Sequence, residues 1–292
     1  MKFRTIFILF NVVIVVSFCF VFLFPFFVLG ASSSLQFWKE NWYLAAFFIA
    51  LLGAINAFFI ANRRVFTLVE NEDWAALSAY LSQEIMVKGR YRSSSIRLLV
   101  NAFLLRSDVE GIEGLETRLQ DQRPALLRKH ALLFGVTRLL RNRPAEAEAF
   151  FARYLGAKDV DSREWLRFDY AFSLVLQKRV SDAIPDLRAG LLSRDAVLAL
   201  LSAYLLGSVC AAGAGTAEER AELTGLADRT KAGLRARFSP QRWSKEVERA
   251  KGEVHIVILS KLIDDAGRWL FAQDPAGQGA DRAAPAPAEE RP

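Results

Sequence analysis

With 292 residues, 52% of them apolar, and 38 Lys plus Arg against 32 Asp plus Glu, the chain is oilier than an ordinary soluble domain and carries a net charge of only +6. Its cations are scattered among acids, which gives no continuous stripe for a nucleic acid; an anionic membrane leaflet nearby accounts for the excess. The two cysteines, Cys19 and Cys210, have no neighbour at disulfide or metal-ligand spacing, so a disulfide framework is excluded and both read as packing residues.

The apolar residues are concentrated at the front, where 14 of the 23 Phe fall within the first 60 residues. No charge occurs in 5–38 or in 41–62, and a membrane-spanning helix needs roughly 20 mostly apolar residues. The expectation is a transmembrane hairpin over 1–64, with spans at 5–29 and 42–62 and Pro25 kinking the outer end of the first. A cleaved signal peptide is the alternative, because Lys2 and Arg4 make a basic start and Leu29-Gly30-Ala31 resembles a cleavage site. A signal's apolar core is typically about 7–15 residues, shorter than this stretch, which favours two spans. Lys2 and Arg4 precede the first span and Arg63 and Arg64 close the second, whereas the connecting loop has Lys39 beside Glu40. Both termini are therefore expected in the cytoplasm of a bacterial-type inner membrane, with Trp38, Trp42 and Tyr43 at the outer interface. Asn11 and Asn56 are expected to find a polar partner between the spans, with Ser17, Gly53 and Ala57 letting the helices approach.

Behind the anchor, apolar residues recur three and four apart between short polar breaks, so the rest is expected to be all helix. Laid against itself, the chain shows a period of 36 residues that aligns Leu99, Gly135, Ala171 and Gly207, each preceded by a bulky apolar residue. The same step aligns Phe103, Leu139 and Val175, then Gly111, Ala147 and Ala183, then Leu115, Phe151, Leu187 and Leu223. A small residue followed at helical spacing by large ones marks a crossing where two helices approach closely. Ser107 with Glu110 and Thr216 with Glu219 have capping-box spacing, and Ser239-Pro240 marks another helix start.

In "AEAEAFFARYL" and "DAIPDLRAGL" this pattern resembles the second helix of the tetratricopeptide repeat family, and the resemblance covers roughly 93–227. It implies an all-α superhelix of helical pairs over 65–238, whose first helices line a groove for an extended peptide or a partner's helix. In the first pair the implied lining is Ile96, Val100 and Phe103, and in the next it is Leu132, Val136 and Leu139. Trp165, Phe168, Phe172 and Val175 continue it, followed by Tyr204. The lining is apolar, and Lys129 alone suits the carboxylate clamp of chaperone-binding relatives, so an apolar protein or peptide segment is the expected partner. Residues 239–272 would form helices that close the stack. The stretch 254–271 is apolar enough to fill the groove itself, or to lie on the membrane surface through Lys261 and Arg268. Residues 273–292, rich in Pro, Ala and Gly, are expected to be a disordered tail.

Nothing in the sequence assembles into a catalytic constellation. His130 and His255 lie far apart, Glu218-Glu219 and Asp264-Asp265 are adjacent pairs that diverge around a helix, and "AAGAGTAEE" lacks the ending of a phosphate loop. The expected function is therefore a non-enzymatic scaffold or adaptor, without a cofactor or metal, anchored in the bilayer and binding a protein partner. The alternative makes the hairpin the functional part, as a subunit of a membrane complex or a small pore, with the repeats serving assembly.

Overall fold

A computed structural model describes residues 3–272; the expected tail lies outside the described residues, as does Lys2. Every element among the described residues is helical, and the chain divides between Ser107 and Asp108 into two compact units.

The first unit opens with α1 (Phe3–Glu40), broken at Gly30 where φ is +77°, a conformation that a glycine adopts at little cost. Phe22 and Trp38 stack with ring centroids 4.1 Å apart, although a straight helix would hold them about 24 Å apart at 1.5 Å per residue. The chain thus reverses at Gly30, and the stretch expected to be a connecting loop is helical as far as Glu40. From there α2 (Trp42–Glu70) runs back along α1, bringing Phe59 to 5.2 Å from Phe7 and Phe48 to 6.2 Å from Phe18. Both helices contain a stretch long and apolar enough to cross a membrane, Phe7–Val28 and Trp42–Glu70. The Asn56 amide donates to Asn11 Oδ1 at 2.9 Å and each Asn also donates to a carbonyl four residues earlier, so these polar groups do pair between the helices. Ser17, Gly53 and Ala57 do not mark the approach. All three are exposed, and a Cβ at Gly53 would meet nothing within 4 Å, because the rotation of the hairpin turns that stripe outward.

The expected boundary at 64/65 falls inside α2, which continues to Glu70 and pairs with α3 (Trp74–Ser82). A π-helical turn, Gln83–Val87, extends α3, and α4 (Ser93–Leu105) packs back on it, with Arg106 donating to Ser78 Oγ at 2.6 Å.

The second unit contains α5 (Val109–Gln122), α6 (Pro124–Lys129), α7 (Ala131–Leu140), α8 (Pro144–Ala152), α9 (Arg163–Leu176) and α10 (Val180–Gly190). After these come α11 (Ala196–Tyr204), its π-helical extension Leu205–Cys210, and α12 (Ala217–Arg237). Then α13 (Pro240–Ala250), α14 (Val254–Ile258) and α15 (Ser260–Phe271) complete it. From α7 to α12 each helix packs on the next. The small residues aligned by the period lie at these contacts. A Cβ at Gly135 would stand 2.5 Å from Phe151 Cζ of α8, one at Gly207 would stand 2.8 Å from Ala227 Cβ of α12, and Ala171 is fully buried.

A second repeated feature escapes the sequence. The turns after α2, α4, α7 and α9 each place a non-glycine residue in the left-handed region: Glu72, Ser107, Asn142 and Lys178, with φ between 52° and 63°. After α2, α7 and α9 the same two bonds follow, as in Asn142 N–H to Leu139 O at 3.0 Å and Arg143 N–H to Arg138 O at 2.9 Å. These are Schellman closures, which satisfy the last carbonyls of each helix. Ser107 occupies such a position, so it cannot cap α5; Asp108 does, accepting from Gly111 N. Thr216 caps α12 as expected, and Ser239 caps α13.

Candidate partner-binding surface

The twelve residues expected to line one groove have three different fates. In the first unit Ile96, Val100 and Phe103 of α4 are buried and are therefore not an open lining.

In the second unit the lining on α7 and α9 is largely covered. Trp165, Phe168 and Phe172 recur three and four apart along α9, so their rings form one row: Trp165 meets Phe168 edge-on at 5.6 Å, and Phe168 lies parallel to Phe172 at 6.2 Å. The short helix α14 packs on α7, where Leu132 and Val136 are buried, and sets the His255 ring 5.1 Å from Trp165. Next along the chain, α15 packs on α11 and α12, placing Trp269 5.9 Å from Tyr204 with Lys231 Nζ 5.0 Å over its ring. Ile256, Leu259, Ile263 and Leu270 are buried in doing so. Of the two fates open to 254–271, the structure shows it as interior packing of its own unit. What stays half-exposed is Leu139, Phe172, Val175, Tyr204 and Lys129. Leu140 and Leu176, at the ends of α7 and α9, are 51% and 45% exposed and extend the uncovered apolar strip.

Beside the covering segment lie polar groups that the sequence does not reveal. Trp165 Nε1 donates to Asp195 Oδ2 at 2.9 Å, while Asp195 Oδ1 accepts from Val197 N and Leu198 N and so caps α11. His255 faces this pair. Burial drives its pKa down to about 4 against a smaller opposing pull from Asp195, so the ring is neutral at pH 7. Glu253 Oε2 lies 3.4 Å from its Nδ1. Beside Lys129, whose carbonyl accepts from Asp161 N at 2.8 Å, Arg128 grips Asp159 with three bonds of 2.8–2.9 Å. The bonded guanidinium holds the Asp159 carboxyl below its ordinary range. Buried His130 places Nδ1 3.2 Å from Asp161 Oδ2.

Asp169, on α9, is fully buried, neither carboxylate oxygen has a hydrogen-bond partner, and burial raises its pKa well above the usual carboxylate range. One signal was available: the 36-residue step aligns it with Arg97, Leu133 and Leu205, so an acid stands where the units on either side have leucine. Among the described residues no three His, Cys, Asp or Glu side chains gather as metal ligands. Apolar contact is the chemistry this surface offers.

A family model described as "Uncharacterised Treponema protein" matches residues 111–272. A protein of Treponema pallidum (strain Nichols) carrying the name "Uncharacterized protein" is 33% identical over 230 residues, which is 77% of this chain and 73% of that protein. The chain belongs to this Treponema family. The family match spans nearly the whole second unit, from α5 to the end of α15, so the segment that packs against Trp165 and Tyr204 is part of what the family shares. The match is not to the tetratricopeptide family, whose resemblance draws no support from it. No solved structure matches the chain.

Proposed function

We propose that this member of the Treponema family is a membrane-anchored helical scaffold without enzymatic activity. In this reading α1 and α2 cross the cytoplasmic membrane as a hairpin with both termini inside, and the helical pairs stack in tetratricopeptide fashion to hold a protein partner. One observation carries it: α2 runs unbroken from an exposed apolar stretch through Arg63 and Arg64 into the last turns that pair with α3. A helix that is both anchor and first member of a helical pair transmits position with little slack, which suits a scaffold more than a tether. Because α14 and α15 fill much of the expected groove, the contact surface is narrowed to the uncovered strip of Leu139, Leu140, Phe172, Val175 and Leu176. These residues present apolar side chains to an apolar segment of the partner.

The test uses full-length protein in bacterial membranes, with a photo-cross-linking residue at Phe172. Retention through an alkaline carbonate wash and one discrete cross-linked partner, lost on Leu176→Glu while helicity is kept, are the expected results. Release by carbonate would end the anchor reading. Retention with cross-links that Leu176→Glu leaves unchanged would end the strip reading. Loss of the partner only when the outward face of the hairpin is altered, for example Phe47→Ala with Phe58→Ala, would instead favour the hairpin as the functional part.

A further inference from the structure

We infer that the segment joining the π-helical turn to α4, residues 87–92, sits in the headgroup layer of the bilayer and binds the phosphates of anionic lipids, giving the first unit a second attachment beside its apolar hairpin. This rests on the reading of α2 as a membrane span.

The level of the segment follows from the pairing of α2 with α3. The chain turns between Glu70 and Trp74, and the Arg64 guanidinium lies 4.7 Å from the centre of the Tyr80 ring, so Tyr80 is level with Arg64. The apolar stretch of α2 ends just before Arg63. From Tyr80 the helix runs on towards that stretch until Val87, and seven residues at 1.5 Å each carry it about 10 Å past Arg64. The interfacial layer on each side of a bilayer is roughly 5–8 Å deep, the difference between its total and hydrocarbon thicknesses. With Arg64 at the water-facing edge of that layer, the chain crosses it, Val87 reaches the hydrocarbon edge, and the reversal at Gly89, φ +65°, carries Arg90 and Arg92 back among the headgroups.

Its composition fits that place. Val87 is 78% exposed at the tip, followed by exposed Lys88, Arg90 and Arg92 and half-buried Tyr91. Over residues 74–107 there is a single acid, Glu84, against Lys88, Arg90, Arg92, Arg97 and Arg106. Glu84 takes one bond each from Lys88, at 2.5 Å, and Arg90, at 3.0 Å. An ammonium has three donors and a guanidinium five, so both retain donors for a phosphate. The acidic residues Glu70, Glu72 and Asp73 lie at the opposite end of the α2–α3 pair, away from the lipid. A small apolar tip ringed by cations is the chemistry of shallow insertion with electrostatic attraction.

The experiment places a nitroxide at position 87 (Val87→Cys, with Cys19→Ser and Cys210→Ala) in the full-length protein, reconstituted into phosphatidylcholine vesicles with or without phosphatidylglycerol. Accessibility to a water-soluble nickel chelate is read by electron paramagnetic resonance. Labels at Phe47 and Asn71 report the hydrocarbon and the water. The position-87 label should be shielded from the chelate in phosphatidylglycerol vesicles and several-fold more accessible in pure phosphatidylcholine. Replacing Lys88, Arg90 and Arg92 by Gln should abolish the shielding, since each cation at an anionic surface contributes roughly fivefold and three together on the order of a hundredfold. Circular dichroism checks that this variant folds, and the comparison of lipids reads the unaltered segment in any case. Equal accessibility at positions 87 and 71 in both lipids, with position 47 shielded, overturns the inference and leaves the anchor standing. A chelate-accessible position 47 overturns both.

Discussion

Adding a single methyl group at Gly135 tests whether the 36-residue period records real helix crossings. A Cβ there would lie 2.5 Å from Phe151 Cζ and 2.7 Å from Cδ1, whereas carbon atoms in contact prefer roughly 3.5–4.0 Å. Cε1 of the ring is nearer still, so the ring must retreat by more than about 1 Å, yet Phe151 and Ala147 of the same helix are both fully buried. Overpacking of this kind costs up to about 3 kcal/mol, and exchanging Gly for Ala within a helix returns about 1 kcal/mol. The net expectation is a loss of about 2 kcal/mol, or a fall in Tm of roughly 4–8 °C for a unit of this size. Full-length protein in detergent, melted under far-ultraviolet circular dichroism, measures it. Two controls sharpen the result. Gly233→Ala, where a Cβ meets nothing within 4 Å, should raise Tm slightly. Phe151→Leu should relieve the clash, so the double variant should lose at least about 1 kcal/mol less than the two single losses combined. A Gly135→Ala protein as stable as its parent, with additive behaviour in the double variant, would refute the crossing.

The remaining expectations concern charge and polar pairing. His255 has a pKa of about 4 in the folded protein against 6.5 for the free side chain, so between those values the unfolded chain binds the extra proton. Stability is fully present above pH 6.5 and falls as pH drops towards 4, by about 3 kcal/mol at most. Urea midpoints at pH 7 and 4.5 read this; His255→Phe should remove that part of the slope, although Asp195 and Glu253, which face the ring, remain. In the hairpin, Asn56→Leu and Asn11→Leu should each lower the midpoint of denaturation by sodium dodecyl sulfate, with an interhelical bond of about 1 kcal/mol at stake. The second substitution should cost less once the first is made. Additive losses would show that the two amides act separately.

Much of the architecture was readable from local chemistry. Two uncharged stretches flanked by Arg and Lys gave the apolar helices, and a polar residue in each foretold the Asn11–Asn56 bond because an amide in hydrocarbon needs a partner. Thr216 was legible as a cap because a Glu three residues on is its usual companion: the hydroxyl accepts from Glu219 N and the Glu219 carboxylate reaches back to Gly215 N. Ser107 misled because two short polar residues stand side by side, and the left-handed turn that excludes Ser107 from capping is occupied at its four occurrences by Glu, Ser, Asn and Lys. Glycine would have announced it.

The sequence alone determined that the chain is helical and where small residues recur along it, because capping, periodicity and charge act over one or two turns. Which apolar faces meet was decided only by the tertiary structure. Ile96, Val100 and Phe103 became core, Trp165 was covered beside α14, and Phe172 and Tyr204 stayed partly open, though all share one pattern in the chain. The hydrophobic effect is non-directional, and closing a longer loop costs little more than closing a short one. Several partners were therefore energetically available to each apolar stripe, and the packing of the whole unit selects among them.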